Sequence, residues 1–260
     1  MRVIANLATY PPRAGSLARV VAEIAPQVDQ LNVVLNEYTV VPDALTIHDN
    51  VVPILPERDL KDTGKFFPAS ADADWVVLID DDLHYPSDYV ETSLARIAQS
   101  GAERAVYGYH GVYYRKPGIK RLQFWKYPAL SPDTVMRYRR VHTFWNTIEH
   151  AMRVDQLGTG TVFLRGEDMP EFEFMASSQK FVDVRFALWA FRKGLACVCL
   201  PRPREWLAAE PFEDTIYEFT QSNPTHVSDE IWQYAYKTRG VGKPLRRSGD
   251  FTQPGKYGSS

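Results

Sequence analysis

Apolar and polar positions follow two different periods along the first hundred residues. Four short apolar runs predict strands: 3–8, 31–35, 51–55 and 75–79. Two stretches carry apolar residues at helical spacing and predict helices: 16–24 and 89–97. Strands that alternate with helices in this way are typical of a parallel sheet covered by crossover helices. Because the run 75–79 is apolar at all of its positions, we expect it to be covered on both faces.

The second half of the chain has a less regular pattern. Residues 107–150 hold ten aromatic and eight Lys or Arg residues without a clean period, which predicts hairpins and loops that elaborate the sheet. Regular patterns return with a strand at 161–164, a helix at 178–193 and a strand at 196–200. A short helix is also expected over 62–71, just before the fourth strand.

The length and composition fit one folded domain. With 45% hydrophobic and 24% charged residues, the 260-residue chain is too apolar for a disordered protein. It is also long enough to bury a core without disulfides or a structural metal. We expect a single domain over 1–239, with one half at 1–105 and the other at 106–239. From residue 240 the composition turns to Gly, Pro, Ser and basic residues, which predicts a flexible basic tail over 240–260.

Charge and apolar length narrow the class of protein further. The 30 basic and 32 acidic side chains give a net charge of −2, which argues against a nucleic-acid partner. No apolar stretch approaches the ~20 residues that span a bilayer. The N-terminus lacks a signal-peptide pattern, and Cys197 and Cys199 lie in an apolar run that predicts small buried hydrophobic residues. We therefore expect a cytoplasmic protein, with peripheral contact at the inner face of the membrane as the closest membrane association.

An acidic triplet is the sharpest chemical feature of the sequence. Asp80, Asp81 and Asp82 directly follow the apolar run 75–79, and ligands of open α/β sheets bind outside the carboxyl ends of strands. Three adjacent carboxylates repel one another, and a divalent cation with a preference for oxygen ligands, Mg²⁺ or Mn²⁺, would relieve that repulsion. The alternative is a solvated turn in which one carboxylate caps the following helix, and it applies to Asp81 in particular.

Four segments together resemble a known enzyme family. Ile79-Asp80-Asp81-Asp82 followed by Pro86 resembles the Asp-x-Asp motif of glycosyltransferases with the GT-A fold, particularly the inverting family 2. The segment 8–13 resembles the loop with which that family contacts the nucleotide, and 62–65 resembles its loop before the Asp-x-Asp strand. Phe181-Val182-Asp183 resembles the start of the family's Glu-Asp-containing helix. The four segments occur in the family's order, over residues 1 to about 205.

The resemblance implies a fold and an activity. The fold would be α/β, a Rossmann-like nucleotide-diphospho-sugar transferase (GT-A) three-layer sandwich with a mostly parallel central sheet. Residues 1–105 would bind the nucleotide sugar and 106–239 the acceptor. The activity would be a metal-dependent, inverting transfer of a sugar from a nucleotide-diphosphate sugar to a hydroxyl of a glycan or lipid-linked acceptor.

The resemblance also assigns roles to individual residues. Asp80 and Asp82 would bind Mn²⁺ or Mg²⁺, with His226 as a third ligand. Asp183 would be the general base, although any Asp in the first turn of a helix also gains from the helix dipole. The donor would be contacted by residues of the three loops, which are Thr9, Arg13, Lys65, Asp80 and Asp81. For Arg13 and Lys65 the alternative is a solvated side chain without a ligand, and for His226 it is an ordinary surface position.

The chain departs from the family pattern at two places. The second strand leads into Asn36-Glu37-Tyr38, where the family often has an acidic residue that binds the nucleotide. Val182 stands where the family usually has Glu. The first departure leaves the nucleotide base open, and the second bears on the role of the neighbouring Asp183.

The aromatic and basic residues between Tyr107 and Trp145 suit an acceptor site. Sugar rings pack on aromatic side chains, and Arg or Lys can meet phosphate or carboxylate groups, so an anionic glycan or lipid-diphosphate acceptor is expected. Two other functions remain open at this point. One is a nucleotidyltransferase that forms a sugar nucleotide, although 9–12 is not the Gly-rich loop that it needs. The other is a catalytically silent module that binds a glycan or nucleotide.

Overall fold

The computed structural model describes residues 1–115, 130–210, 225–238 and 240–245. Its strands are β1 (Val3–Thr9), β2 (Gln30–Leu35), β3 (Val51–Ile54), β4 (Trp75–Ile79), β5 (Leu83–His84), β6 (Ala105–Gly108), β7 (Gly111–Tyr114), β8 (Arg139–His142), β9 (Met152–Val154), β10 (Gln156–Leu157), β11 (Thr161–Leu164), β12 (Ala196–Cys199) and β13 (Ala208–Ala209). Its α-helices are α1 (Ala14–Ile24), α2 (Tyr89–Ser100), α3 (Phe172–Met175), α4 (Val182–Lys193) and α5 (Thr225–Tyr234).

Eight of these strands form the central sheet, in the order β3-β2-β1-β4-β11-β6-β12-β9. The first four strands in this order are all parallel, and β12 is parallel to β6. The antiparallel pairs involve β11, which lies between β4 and β6, and β9 at the far edge. Parallel pairs therefore outnumber antiparallel ones, which confirms the predicted α/β class with a mostly parallel sheet.

Helices cover both faces of this sheet. Along β4, Trp75, Val77 and Ile79 pack in one apolar cluster with α1 and α2, whereas Val76 and Leu78 pack in a second cluster with α3 and α4. All five β4 side chains are buried, because successive strand residues point to opposite faces and each face has its own helical layer. The prediction that the apolar run 75–79 is covered on both faces is confirmed.

The irregular aromatic stretch contributes strands as well as loops. β7 pairs with both β8 and β10 in a small antiparallel sheet, and α4 and α5 pack against this sheet through a third apolar cluster. Tyr109, Tyr113 and Tyr114 are buried, so these rings belong to the core, whereas Trp145 is 43% exposed. The part of the stretch at 116–129 lies outside the described residues.

Two predicted helices differ from the observed ones for a local backbone reason. The helix expected over 62–71 is a 3₁₀ turn, Lys61–Phe66, and Lys61 itself has a φ of 49°. The helix expected over 178–193 begins only at Val182, because Lys180 has a φ of 72°. A residue in the left-handed region cannot continue a right-handed helix, so the segment 178–193 is divided at Lys180, which sequence periodicity does not distinguish.

The first residues of the expected tail over 240–260 are hydrogen-bonded to the edge of the central sheet. The backbone N–H of Gly242 donates to the Arg153 carbonyl at 2.8 Å, and that of Leu245 donates to the Ala151 carbonyl at 2.8 Å. The segment 240–245 therefore runs along β9 at the edge of the central sheet, and the rest of the expected tail lies outside the described residues. Across the described ranges, every helix is too short or too polar to cross a lipid bilayer.

Substitutions at two glycines with different surroundings test the packing of the fold. A Cβ built on Gly166 would overlap the carbonyl oxygens of Ala73, Ala71 and Ser70, whereas one built on Gly15 in α1 meets nothing within 4 Å. We expect Gly166→Ala to lower the free energy of unfolding by about 1–3 kcal/mol, because backbone atoms must move. Gly15→Ala is the control and raises it by about 0.5–1 kcal/mol. Equal urea midpoints for the two variants would contradict this packing.

Asp155 gives a second prediction, on the pH dependence of stability. It is 5% exposed, and burial raises its pKa to about 7, although hydrogen bonds to its carboxylate from the Tyr114 N–H and the Thr238 side chain act in the opposite direction. Because the folded protein holds the Asp155 proton more tightly than the unfolded chain, the raised pKa stabilises the fold. This stabilisation is complete at a pH below the ordinary Asp pKa of about 3.9, and it is lost as the pH rises through about 7.

Unfolding free energies of the natural protein and of Asp155→Asn, measured between pH 4 and pH 8, test this contribution. We expect the natural protein to lose up to roughly 4 kcal/mol relative to the variant across that range. Asp43→Asn, at an exposed position, is the control and shows no comparable trend. A difference between the natural protein and Asp155→Asn that stays constant with pH would contradict the assignment.

Candidate active site

Three loops meet at the carboxyl end of β4. β1 and β4 are parallel neighbours, so the loop after β1 and the acidic triplet after β4 emerge at the same edge of the sheet. β11 runs antiparallel to β4 and pairs Thr161 with Ile79, which brings the turn before β11 to this edge. The sheet topology therefore assembles a site from segments that are up to about 150 residues apart in sequence.

Two basic side chains compensate the acidic triplet. Nη1 of Arg13, in the loop after β1, lies 3.1 Å from Oδ1 of Asp81 and 2.9 Å from Oδ2 of Asp82. The ammonium of Lys65, in the 3₁₀ turn before β4, pairs with the carboxylate of Asp80. The triplet is therefore held by ion pairs and does not extend freely into solvent.

Lys65 is an unusual cation because it is almost fully buried, with 2% of its surface exposed. Burial alone would lower its pKa, but the carboxylates of Asp80, Asp183 and Asp62 outweigh burial and raise the pKa of Lys65. A buried charge of this kind is stable only when it is paired. Lys65 therefore sits at the centre of an acidic cluster and carries its compensating charge.

Arg13 and Lys65 balance the negative charge of the acidic triplet only in part. Burial raises the pKa of Asp81 to about 6 even though Arg13 acts in the opposite direction. Burial and then the nearby charge of Asp80 raise the pKa of Asp82. Asp80 and Asp82 thus repel each other across a partly exposed gap, with 40% and 33% of their side chains exposed.

This pair of carboxylates fits a hard divalent cation. Oxygen ligands suit Mg²⁺ or Mn²⁺, and the cation would relieve the repulsion by Asp80 that, after burial, raises the pKa of Asp82. Within the described ranges, no three His, Cys, Asp or Glu side chains lie close enough to form a complete ligand group. The remaining ligands would then come from water and from a bound diphosphate, as is usual for Mg²⁺ sites.

Asp183 joins the same cluster from the other half of the chain. It lies in the first turn of α4, and its Oδ1 accepts hydrogen bonds from the backbone N–H of Thr159 at 2.8 Å and from Thr159 Oγ1 at 2.7 Å. Burial raises the pKa of Asp183, while Thr159 and Lys65 act to lower it. The structure therefore brings Asp183, Lys65 and Asp80 into one electrostatic unit.

The turn 158–160 is glycine-rich because side chains of the site fill the space around it. A Cβ on Gly160 would overlap the Asp80 carboxylate, and a Cβ on Gly158 would lie 3.0 Å from Cβ of His110. Glycine at these positions lets Thr159 reach Asp183 while its neighbours stay clear of Asp80 and His110. Thr159 is a site residue that sequence reasoning missed, and its place between two glycines before a strand was the available signal.

Thr9 and His226 were also expected at the site, and the structure places them differently. Thr9 is 2% exposed at the end of β1, beside the carboxylate of Asp81, so its side chain faces the triplet. His226 lies on α5 with its ring 5.2 Å from that of Phe181. In the described part of the chain it does not form a metal-ligand group with Asp80 and Asp82. The expected third ligand is therefore not seen in this arrangement.

Asn36 and Asp62 serve the backbone around the site. Asn36 accepts from the N–H of Leu60 and donates to the carbonyl of Lys61, at 2.9 and 3.0 Å, so its amide is used in holding the 3₁₀ turn. Both carboxylate oxygens of Asp62 lie 2.9 Å from the backbone N–H of Lys180, which donates to them just before α4. Burial raises the pKa of Asp62 to about 6. Asp62 thus ties the Lys65 turn to the helix that carries Asp183.

Comparison with known proteins supports the fold. No family model matches the chain, and no curated protein matches it. Among solved structures, S. aureus TarS 1–349 in complex with UDP-GlcNAc is similar, with a TM-score of 0.53 and 14% sequence identity. The match covers 90% of this chain and 67% of that one. A structure of TarS 1–349 described without the ligand gives a TM-score of 0.50 at 14% identity, over 90% of this chain and 66% of the other.

These similarities extend over only part of the neighbouring proteins. The chain spans about two thirds of the length of the TarS 1–349 structures, and the sequence identity is low. What the chains share is the fold: an α/β sandwich of the GT-A type around a large, mostly parallel sheet. This confirms the predicted fold class.

Proposed function

We propose that this protein is a glycosyltransferase that uses a nucleotide-diphosphate sugar as donor. The observation that carries the proposal is the cluster at the carboxyl end of β4. There the basic side chains of Arg13 and Lys65 pair with Asp82 and Asp80, and Asp183 approaches from α4. The fold supports it, because TarS has the same fold and its structure contains UDP-GlcNAc, which is a nucleotide-diphosphate sugar.

The donor would bind at the acidic triplet. Asp80 and Asp82 would hold Mg²⁺ or Mn²⁺, and the bound ion supplies positive charge that stabilises a diphosphate leaving group. Arg13 adds a permanent positive charge at the same place, and its side chain is 12% exposed. Lys65 is more deeply buried, so its role is to balance the charge of Asp80 within the protein.

The acceptor would be activated by Asp183. Thr159 occupies Oδ1 of Asp183 with two hydrogen bonds, which leaves Oδ2 to accept the proton of an acceptor hydroxyl. As the hydroxyl oxygen bonds to the anomeric carbon, the bond from that carbon to the diphosphate breaks and the nucleoside diphosphate leaves. Attack from the face opposite the leaving group inverts the anomeric configuration.

The acceptor is expected to carry negative charge, as in an anionic glycan or a lipid-linked diphosphate. β8 presents Arg139 and Arg140 at the edge of the small sheet, and Arg140 is exposed. Trp145 follows in the chain and offers an exposed ring that suits a sugar face. Guanidinium groups bind phosphate and carboxylate oxygens well, which favours this class of acceptor.

Asp183→Asn tests the role of the base. The amide keeps the size of the side chain and an oxygen for Thr159, but it cannot accept the acceptor proton. We expect the rate of sugar transfer to fall by about 10²–10⁴-fold while donor affinity stays unchanged. Transfer is measured as nucleotide released from a panel of nucleotide sugars with Mn²⁺ or Mg²⁺, and donor affinity is measured by titration calorimetry.

Asp168→Asn is the matched control for this experiment. Asp168 follows Leu164, which lies at the opposite end of β11 from the site, so the variant transfers sugar at the natural rate. If Asp183→Asn transfers as fast as this control, the base is another group. If the natural protein binds a donor but never turns it over, it is a binding module.

Asp82→Asn tests the metal. In the natural protein, Mn²⁺ is expected to strengthen donor binding, because the ion joins the carboxylates to the diphosphate. In the variant the ion loses a charged ligand, so donor affinity in Mn²⁺ falls by about tenfold or more, which corresponds to about 1.4 kcal/mol. Calorimetry with Mn²⁺ and with a chelator makes the comparison. An identical response to Mn²⁺ in both proteins would exclude Asp82 as a ligand.

A further inference from the structure

Tyr85 lies beneath the site, and the reaction described above does not use it. It follows β5 and is buried, and its hydroxyl contacts two loops at once. The backbone N–H of Asp80 donates to this hydroxyl at 2.9 Å, and the hydroxyl donates to the Gly160 carbonyl at 2.7 Å. The Asp80 carbonyl lies farther away, at 3.2 Å, so the single O–H proton is directed mainly to Gly160.

These two hydrogen bonds connect the two functional ends of the site. Asp80 begins the acidic triplet, and Gly160 is the residue after Thr159, which holds Asp183 through its N–H and its hydroxyl. A continuous path thus runs from the Asp80 backbone through the Tyr85 hydroxyl to the turn that fixes Asp183. In the described structure, this path connects the acidic triplet, where the donor would bind, to the turn that holds Asp183, and it does so through backbone groups of Asp80 and Gly160.

We infer that Tyr85 is a positioning residue that sets the placement of the acidic triplet relative to Asp183. The inference rests on the proposed glycosyl transfer, in which a donor held at the triplet must face a base of fixed position. Transfer between two bound reactants depends strongly on their alignment, and a displacement of about 1 Å can cost about a hundredfold in rate. A single buried hydroxyl that binds both loops is well suited to maintain that alignment.

The positioning role belongs to the Tyr85 hydroxyl and not to its ring. The Tyr85 ring packs against Tyr89 with centroids 4.9 Å apart, and a phenylalanine would keep that contact. Without the hydroxyl, the Asp80 N–H and the Gly160 carbonyl lose their shared partner. Buried backbone groups left without partners are unfavourable, so the two loops are expected to shift apart or admit water. Either change alters the distance between a donor at the acidic triplet and Asp183 more than it alters the local structure around the triplet or around Asp183.

The neighbouring Tyr89 provides a matched control. It is also fully buried on the same side of the sheet, and within the described structure its hydroxyl has no hydrogen-bond partner. Tyr89→Phe therefore removes the same atom from the same aromatic group without separating the loops. A general effect of losing a buried hydroxyl would appear in both variants, whereas a positioning effect appears only in Tyr85→Phe.

The test compares Tyr85→Phe, Tyr89→Phe and the natural protein. We expect Tyr85→Phe to lower kcat for transfer about ten- to a hundredfold, with KM and calorimetric Kd for the donor within about twofold. The ratio of sugar transferred to donor hydrolysed by water is also expected to fall. Tyr89→Phe keeps all of these quantities within about twofold of the natural protein.

Equal kcat and equal transfer-to-hydrolysis ratios in Tyr85→Phe and Tyr89→Phe would overturn the inference, as would a loss confined to donor Kd. If Tyr85→Phe melts below the assay temperature, the same comparison is made in the Gly15→Ala background, where the helix substitution restores stability. Failure of the proposed function is distinguishable, because in that case the natural protein itself transfers no sugar from any donor in the panel.

Discussion

The repulsion among three consecutive carboxylates at the end of β4 is the constraint on which the site depends. β4 is buried on both faces, so its end cannot turn aside to separate Asp80, Asp81 and Asp82. The charges must be balanced where they lie, and Arg13 and Lys65 are brought to them by two other loops. The balance leaves Asp80 and Asp82 repelling each other. This residual repulsion supports the proposed divalent cation, which would in turn hold the diphosphate.

Most of the fold was predictable because it depends on periodicity. The apolar runs at 75–79 and 161–164 coincide with β4 and β11, and the helical stripe at 16–24 lies within α1. The stretch 107–150 was not predictable in detail, because its aromatic residues serve both the core and the small sheet and so hide the strand period. Backbone geometry explains the remaining errors, since the left-handed conformation at Lys180 leaves no clear trace in the sequence.

The acids of the candidate site were predictable, and Arg13 and Lys65 were expected beside them as donor contacts, but the ion pairs between these groups were not predicted. Asp80 and Asp82 follow an apolar strand, a position that indicates a ligand site in any open α/β sheet. For Lys65 the sequence left a donor contact and a solvated role as alternatives, and neither anticipates the buried ion pair with Asp80 that the structure shows. Thr159 was marked only by its two flanking glycines, because its hydrogen bonds to Asp183 depend on three-dimensional placement. Tyr85 acts through hydrogen bonds to backbone groups, for which sequence spacing carries no signal.

A crystal structure with UDP-GlcNAc and Mn²⁺, with the ion located by its anomalous scattering, would show whether Asp80 and Asp82 hold the ion together with the diphosphate of the donor. We expect one Mn²⁺ peak between the carboxylates of Asp80 and Asp82, with diphosphate oxygens completing its coordination and the sugar facing Asp183. A nucleotide sugar bound at another part of the sheet, or a diphosphate held with the ion bound elsewhere, would contradict it.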